Sequence, residues 1–344
     1  MKNRSILFYA GAIFAMMSCE NPMSFRTKVN EDGSLDKSIS FEKAAEDRAI
    51  TNVFGISEKT GWSVNKDSIP HEKKDKEKEK KFHITLYKHF VSDAEMNKEL
   101  DTRTDTLFQV TSSFQKKYRW FYTYITYSET IHPINRFKLV SPADYFNQED
   151  SSYLKRLPGE GKSISKADSV YLDMFSQKTD RFANMGIFRE YYQALEEIIR
   201  RNGLDKKWLD TLRKSRNDIY KEIESKPDLD NAFDKLKLPL SKEKIEAEMA
   251  IVGKDSKSRL DFMKYVHDGK YTNEFEMPWT VISSNADSVA GNKLYWRPTV
   301  HKFIFMDYKM AAESRKINLL ELIVSAIVVS LTAFVLWRGS RSQA

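Results

Sequence analysis

Hydrophobic and polar positions first alternate cleanly in FRTKVNEDGSLDKSISF, residues 25–41. Phe25, Thr27 and Val29 fall on one face of the first run, and Leu35, Ile39 and Phe41 on one face of the next. A strand turns successive side chains to opposite faces, so this period predicts two strands. Asn30, Asp32 and Gly33 between them supply turn chemistry, with Gly33 able to take positive φ, and a hairpin is expected. A short helix is expected next, from about Glu42 to Asn52. A further strand pair is predicted around Gly61 and Trp62 and in the run beginning at Phe82. There Phe82, Ile84, Leu86 and Phe90 face the core, while His83, Thr85, Tyr87 and His89 face away. Every residue from Glu72 to Lys81 is charged. That run reads as a solvated loop or hairpin tip rather than as a binding tail.

The strongest strand signal is KKYRWFYTYITYSETI, residues 116–131. Tyr118, Trp120, Tyr122 and Tyr124 share one face, and Phe121, Ile125 and Tyr127 the other. Aromatic and β-branched residues on both faces suit a central strand covered on both sides. Trp120 is therefore expected in the core. The competing reading makes Tyr118, Trp120, Tyr122 and Tyr124 a ligand-binding face.

The period changes to that of a helix over residues 165–269. Ile187, Phe188, Tyr191, Leu195, Ile198 and Ile199 form one apolar stripe, and Gly203 ends it. Trp208, Leu209, Leu212, Ile219 and Ile223 form another, opened by Asp205 and stopped before Pro227. Shorter helices are expected around 242–252 and 256–267. Strands return in NEFEMPWTVISSNADSVAGNKLYW and in VHKFIFMDYKMAAES. Residues 317–337 are then apolar except for Asn318, Glu321, Ser325, Ser330 and Thr332. At about 1.5 Å per residue such a helix crosses a hydrocarbon layer of ~30 Å. Trp337, Arg338 and Arg341 suit the far interface. The fold class predicted is α+β: a mostly antiparallel sheet with a large helical insertion, followed by one C-terminal transmembrane helix. Its expected divisions are a signal over 1–18, a strand-rich part over 19–164, the insertion over 165–269, closing strands over 270–316, the span over 317–337 and a short tail over 338–344.

The amino end changes where that domain is expected to work. Lys2 and Arg4 precede an apolar run from Ile6 to Met17, and Ser18 stands before Cys19, the single cysteine. The stretch resembles the lipobox of bacterial lipoproteins, although Met16 and Met17 stand where Leu and then Ala or Ser are usual. The resemblance implies that Cys19 is the lipidation site. A signal that exports the chain leaves the last helix to return inward. The expected location is the bacterial inner membrane, with the main domain periplasmic and lipid at its amino end.

Charge narrows the partners. The chain carries a formal +7, and Lys2, Arg4, Arg338 and Arg341 account for four of those charges. Elsewhere the two signs are interspersed, without the basic stripe a nucleic-acid binder needs. A mild attraction to anionic headgroups remains. Membrane lipids are the expected partner, with an envelope protein or glycan as the other, and the oligomeric state is left open.

Short motifs point the same way. Asp32-Gly33-Ser34 lies in the first hairpin, and Gly61-Trp62 opens a strand. Met277-Pro278, Ser284-Asn285-Ala286 and Leu294-Tyr295-Trp296 then precede the apolar helix. In this order they resemble the LppM-type domain of bacterial membrane-anchored lipoproteins, over about residues 25–70 and 275–337. The chain has Trp279 where that family usually has glycine, and the helical block lies outside the family pattern. The resemblance implies a membrane-tethered α+β domain that contacts lipids or envelope partners, and it implies no catalytic residue.

Catalytic chemistry finds little support. GEGKS, residues 159–163, lacks the first glycine of a phosphate loop, because Arg156 stands in its place. His83 and His89 share a strand face but stand roughly 20 Å apart, too far for one metal ion. His132, His267 and His301 have no metal-ligand spacing, and no Gly-x-Ser-x-Gly elbow occurs. No metal or cofactor is expected. The function expected is a non-enzymatic envelope lipoprotein that binds a lipid, glycan or protein partner. The alternative is an envelope hydrolase with a site between sheet and helical block.

Overall fold

The computed structural model describes residues 21–44, 56, 58–68, 81–101, 105–159, 161–225 and 237–341. The first hairpin forms as its alternation predicts. β1 (Asn21–Val29) pairs antiparallel with β2 (Leu35–Ala44), Phe25 opposite Ile39. Gly33 takes φ +94° in the turn, and a Cβ there would meet the Phe114 ring at 3.0 Å, so glycine is required twice over. β2 runs on to Ala44 where a helix was expected to begin; the rest of that expected helix, residues 45–52, lies outside the described residues, as do Cys19 and most of the charged run.

β3 (Ser63–Ser68) and β4 (Lys81–Phe90) form the second antiparallel pair, with Ile84, Leu86 and Phe90 buried and His83, Tyr87 and His89 exposed. α1 (Asp93–Leu100), capped by Ser92, follows β4 and was not foreseen. β5 (Val110–Tyr118) and β6 (Tyr122–Ile131) come next. After the helical block come β7 (Gly269–Glu276), β8 (Thr280–Ser284), β9 (Ser288–Ala290), β10 (Lys293–Trp296) and β11 (Tyr308–Ile317).

Two sheets result. One has seven strands in the order β3-β4-β2-β1-β7-β10-β9, and the other has four in the order β5-β6-β11-β8. Pairing is antiparallel apart from β1 with β7, a parallel pair that needs the whole intervening chain as its crossover. The inner faces meet where the rings of Tyr127 and Phe275 lie 5.0 Å apart, edge to face. Phe25 stacks on Phe108 nearer one end of the layer, and Phe262 closes that end against Phe108.

The helical block is α2 (Gln148–Arg156), α3 (Lys166–Arg201), α4 (Lys206–Lys214), α5 (Arg216–Ser225), α6 (Lys242–Val252) and α7 (Lys254–His267). α3 is 36 residues long and serves as its spine. Phe175 packs with Tyr153 and Leu154, Phe182 with Phe137 and Val140, and Leu195 and Ile199 with Leu212 and Ile219. Gly186 sits mid-helix because a Cβ would fall 2.6 Å from the Phe137 ring. The stripe read as one helix from Trp208 to Ile223 is two, broken at Ser215. Last comes α8 (Leu319–Arg341), of which Leu319–Arg338 are long and apolar enough to cross a membrane, with none of that stretch buried.

Candidate functional site

The aromatic stretch at 116–131 is not one strand. It folds into the β5–β6 hairpin, with Tyr118 ending β5, Arg119 to Phe121 forming the turn, and Tyr122 and Tyr124 on β6. The turn closes through Arg119 N–H to Tyr122 O at 2.8 Å and the reciprocal bond at 3.2 Å. The four aromatics therefore do not share a face. The buried face of β6 carries Thr123, Ile125, Tyr127, Glu129 and Ile131. Trp120, expected in the core, is 54% exposed, and Tyr118 and Phe121 are 57% and 45% exposed. Tyr122 and Tyr124 are half-buried on the outer face, where the Arg315 guanidinium covers the Tyr122 ring at 4.5 Å.

What orders the turn is Asn318, the one residue between β11 and α8. Its Nδ2 donates to the carbonyls of Arg119 at 2.7 Å and Trp120 at 3.3 Å, and its backbone N–H donates to Phe121 O at 3.0 Å. Its Oδ1 accepts from Thr123 Oγ1 at 2.8 Å. Further along the helix, Tyr118 OH donates to Glu321 Oε1 and Trp120 Nε1 to Ser325 Oγ, both at 2.8 Å. The bond to Glu321 raises the Tyr118 hydroxyl above the ordinary phenol range. The hairpin tip is thus clamped along the first two turns of α8.

Basic residues gather behind that tip. Lys117 and Arg315 both lie opposite Tyr124, and Tyr118 and Lys316 both lie opposite Thr123. Lys116 and Arg119 complete the group, and both are exposed. Glu31, from the β1–β2 turn, accepts from Lys316 Nζ at 2.8 Å and from Trp279 Nε1 at 2.6 Å. Those two bonds hold its carboxyl below the usual range. Trp279, the departure from the resembled motif, thereby ties the β7–β8 link to the β1–β2 turn. The other motif residues are structural as well. Asn285 Oδ1 accepts from Trp296 Nε1 at 3.0 Å and Ala311 N–H at 2.8 Å, joining the two sheets.

A second constellation lies between the sheets. The Lys37 ammonium is 2.6 Å from Glu129 Oε2 and donates to Thr27 Oγ1 at 2.9 Å. Tyr127 OH donates to Glu129 Oε1 at 2.8 Å, and Thr27 donates to the same oxygen. All four side chains are buried. Burial first, and then the Glu129 charge, push the Tyr127 hydroxyl well above its ordinary range. Closed from solvent, the cluster offers a substrate no approach. Its sequence signal was Lys37 falling in phase with Leu35 and Ile39, and Glu129 in phase with Tyr127 and Ile131.

Between the segment that follows β6 and the helical block lies a cleft of about 360 Å³ lined by Lys138, Leu139, Glu190, Gln193, Ser256 and Arg259 among others. Glu190 Oε2 accepts from Ser256 Oγ and Arg259 Nη2, each at 2.6 Å. Of the two carboxylates in the lining, Glu190 is thus committed to a guanidinium and Glu197 is the other, and the lining holds no histidine. Elsewhere, His267 and His301 come within 6.4 Å ring to ring, and burial pushes His301 down to about 4. No group of three metal-ligating side chains occurs among the described residues. The glycines of GEGKS lie in the loop between α2 and α3, not after a strand, and Lys162 is held 3.7 Å from Asp287.

No family model and no curated protein matches this sequence. Among solved structures, the folded domain of LppM from Mycobacterium tuberculosis, determined by NMR, is similar to it. The match covers 92% of this chain and 97% of that one, at 7% identity and a TM-score of 0.28. The likeness is weak and concerns the fold alone.

Proposed function

We propose that the protein is a non-enzymatic, membrane-anchored envelope lipoprotein. Its exported α+β domain stands against the outer face of the inner membrane and meets its partner at the bilayer surface. The observation that carries this reading is the junction at Asn318. α8 leaves the sheet with a single linking residue, none of its apolar stretch is buried, and its first turns are clamped to the β5–β6 tip. A core helix would be buried, and a flexible tether would not be hydrogen-bonded to a sheet. Acylation of Cys19 adds a second attachment, and Arg338 and Arg341 hold the cytoplasmic end.

Fractionation of the cell envelope tests this. The full chain should remain with the inner membrane and resist alkaline extraction, and a protease added to spheroplasts should digest the α+β domain. A chain cut after Asn318 and carrying Cys19→Ser should lose resistance to extraction. Recovery of the full chain in the soluble fraction, or protection of the domain from protease, rejects the reading.

A further inference from the structure

Resting on that reading, we propose that the β5–β6 tip is a wedge inserted into the bilayer, with its basic residues seated on anionic phospholipid headgroups. Helix length fixes the depth. Leu319–Arg338 is 20 residues. At about 1.5 Å per residue that is ~30 Å, the full hydrocarbon thickness, with no slack to raise the helix out of the membrane. Ser325 lies six residues below Leu319, roughly 9 Å along the axis. Trp120 is hydrogen-bonded to that serine, so its indole lies below the headgroups, within the acyl boundary.

The turn is chemically prepared for that place. In hydrocarbon every backbone polar group needs an internal partner, whereas a turn in water leaves its carbonyls to solvent. Here the carbonyls of Arg119, Trp120 and Phe121 all accept from Asn318. The polar atoms of the ring side chains are satisfied too, Tyr118 OH by Glu321 and Trp120 Nε1 by Ser325. Trp120 and Phe121 remain 54% and 45% exposed. Behind the rings, Lys116, Lys117, Arg119, Arg315 and Lys316 lie within three strand positions of the turn, or on it. At about 3.3 Å per residue they occupy the next ~10 Å, which is headgroup depth. Clustered basic residues at that level favour anionic lipid.

The test uses the full chain in vesicles of phosphatidylethanolamine and phosphatidylglycerol containing lipids brominated near the top of the acyl chain. Tryptophan fluorescence is compared for the wild type, Trp120→Phe, Trp337→Phe and the double variant. The expected result is strong quenching in Trp337→Phe, contributed by Trp120 and absent from the double variant. Exchanging phosphatidylglycerol for phosphatidylcholine should weaken that quenching. Quenching of Trp337 but not of Trp120 overturns the wedge while leaving the spanning helix intact. No quenching of either removes the span itself, and with it the reading on which the wedge rests. Quenching of Trp120 by aqueous iodide instead of by lipid also overturns the wedge and points to a surface left for a protein partner. Equal quenching in both lipid mixtures overturns the headgroup preference.

Discussion

Lys37 and Glu129 carry opposite charges into the space between two sheets, and neither reaches solvent. Each alone would be costly there; together, with Thr27 and Tyr127 filling the remaining hydrogen-bonding capacity, they are tolerated. Such a pair contributes little net stability, yet losing one partner strands the other. Glu129→Ala should destabilise the protein by roughly 3–5 kcal/mol, since it leaves the Lys37 ammonium buried without a counter-charge. Replacing both, Lys37→Met with Glu129→Leu, should recover most of that loss. Denaturant unfolding of the three chains in detergent measures both effects. A double variant as unstable as the single one would show that packing, not charge, sets the cost. Trp120 makes the opposite case. Half exposed and outside the core, it cannot account for the several kcal/mol that a buried tryptophan would.

At the scale of elements, the parts legible in the sequence are those whose signal is local. The β1–β2 hairpin carries strict alternation around Asn30, Asp32 and Gly33, and α3 carries its stripe to Gly203. The β5–β6 turn was not legible, and the reason is physical. Arg119, Trp120 and Phe121 include no glycine, proline or asparagine, and the alternation of aromatics runs straight through them. The turn is held by Asn318, far away in the chain, so no window around residue 120 contains the information. The break at Ser215 and the parallel pairing of β1 with β7 were hidden for similar reasons. One lacks a breaker residue, and the other depends on a partner more than two hundred residues on. The candidate site was half legible: its aromatic residues stood out, while the arrangement that exposes them did not. If Asn318 is the determinant, Asn318→Ala should remove the side-chain donor of the Arg119 and Trp120 carbonyls, leave the backbone bond to Phe121 O in place, and cost about 1–3 kcal/mol. Hydrogen exchange in lipid nanodiscs should quicken at Arg119 and Tyr122 while the β1–β2 hairpin stays protected. Unchanged exchange at the tip would show that the β5–β6 ladder alone maintains the turn.

For the whole molecule, the proposed reading raises the question of how two attachments would share one bilayer. β1 runs toward the α8 junction, since the turn that follows it places Glu31 on Lys316. The amino end of β1 is therefore the remote end. β1 is nine residues long. At ~3.3 Å per residue its amino end stands about 30 Å from its carboxyl end. Cys19 precedes Asn21 by two residues, a reach of at most ~7 Å. If Cys19 is the lipidation site, its attachment point has on the order of 20 Å still to cover while α8 is upright and β1 paired. On that reading the spanning helix is the attachment engaged while β1 keeps its pairing, and the lipid becomes a second one when the outer end of β1 yields. Cys19→Ser in the full chain should accordingly change neither retention at the inner membrane nor the lipid quenching of Trp120. In a chain cut after Asn318 the lipid becomes the sole attachment, and Cys19→Ser should release the domain. Envelope fractionation of the four chains reads both outcomes. Loss of the full-length Cys19→Ser protein from the membrane would show that the lipid bears the load, and that β1 yields its outer end to let the acyl chains reach the bilayer.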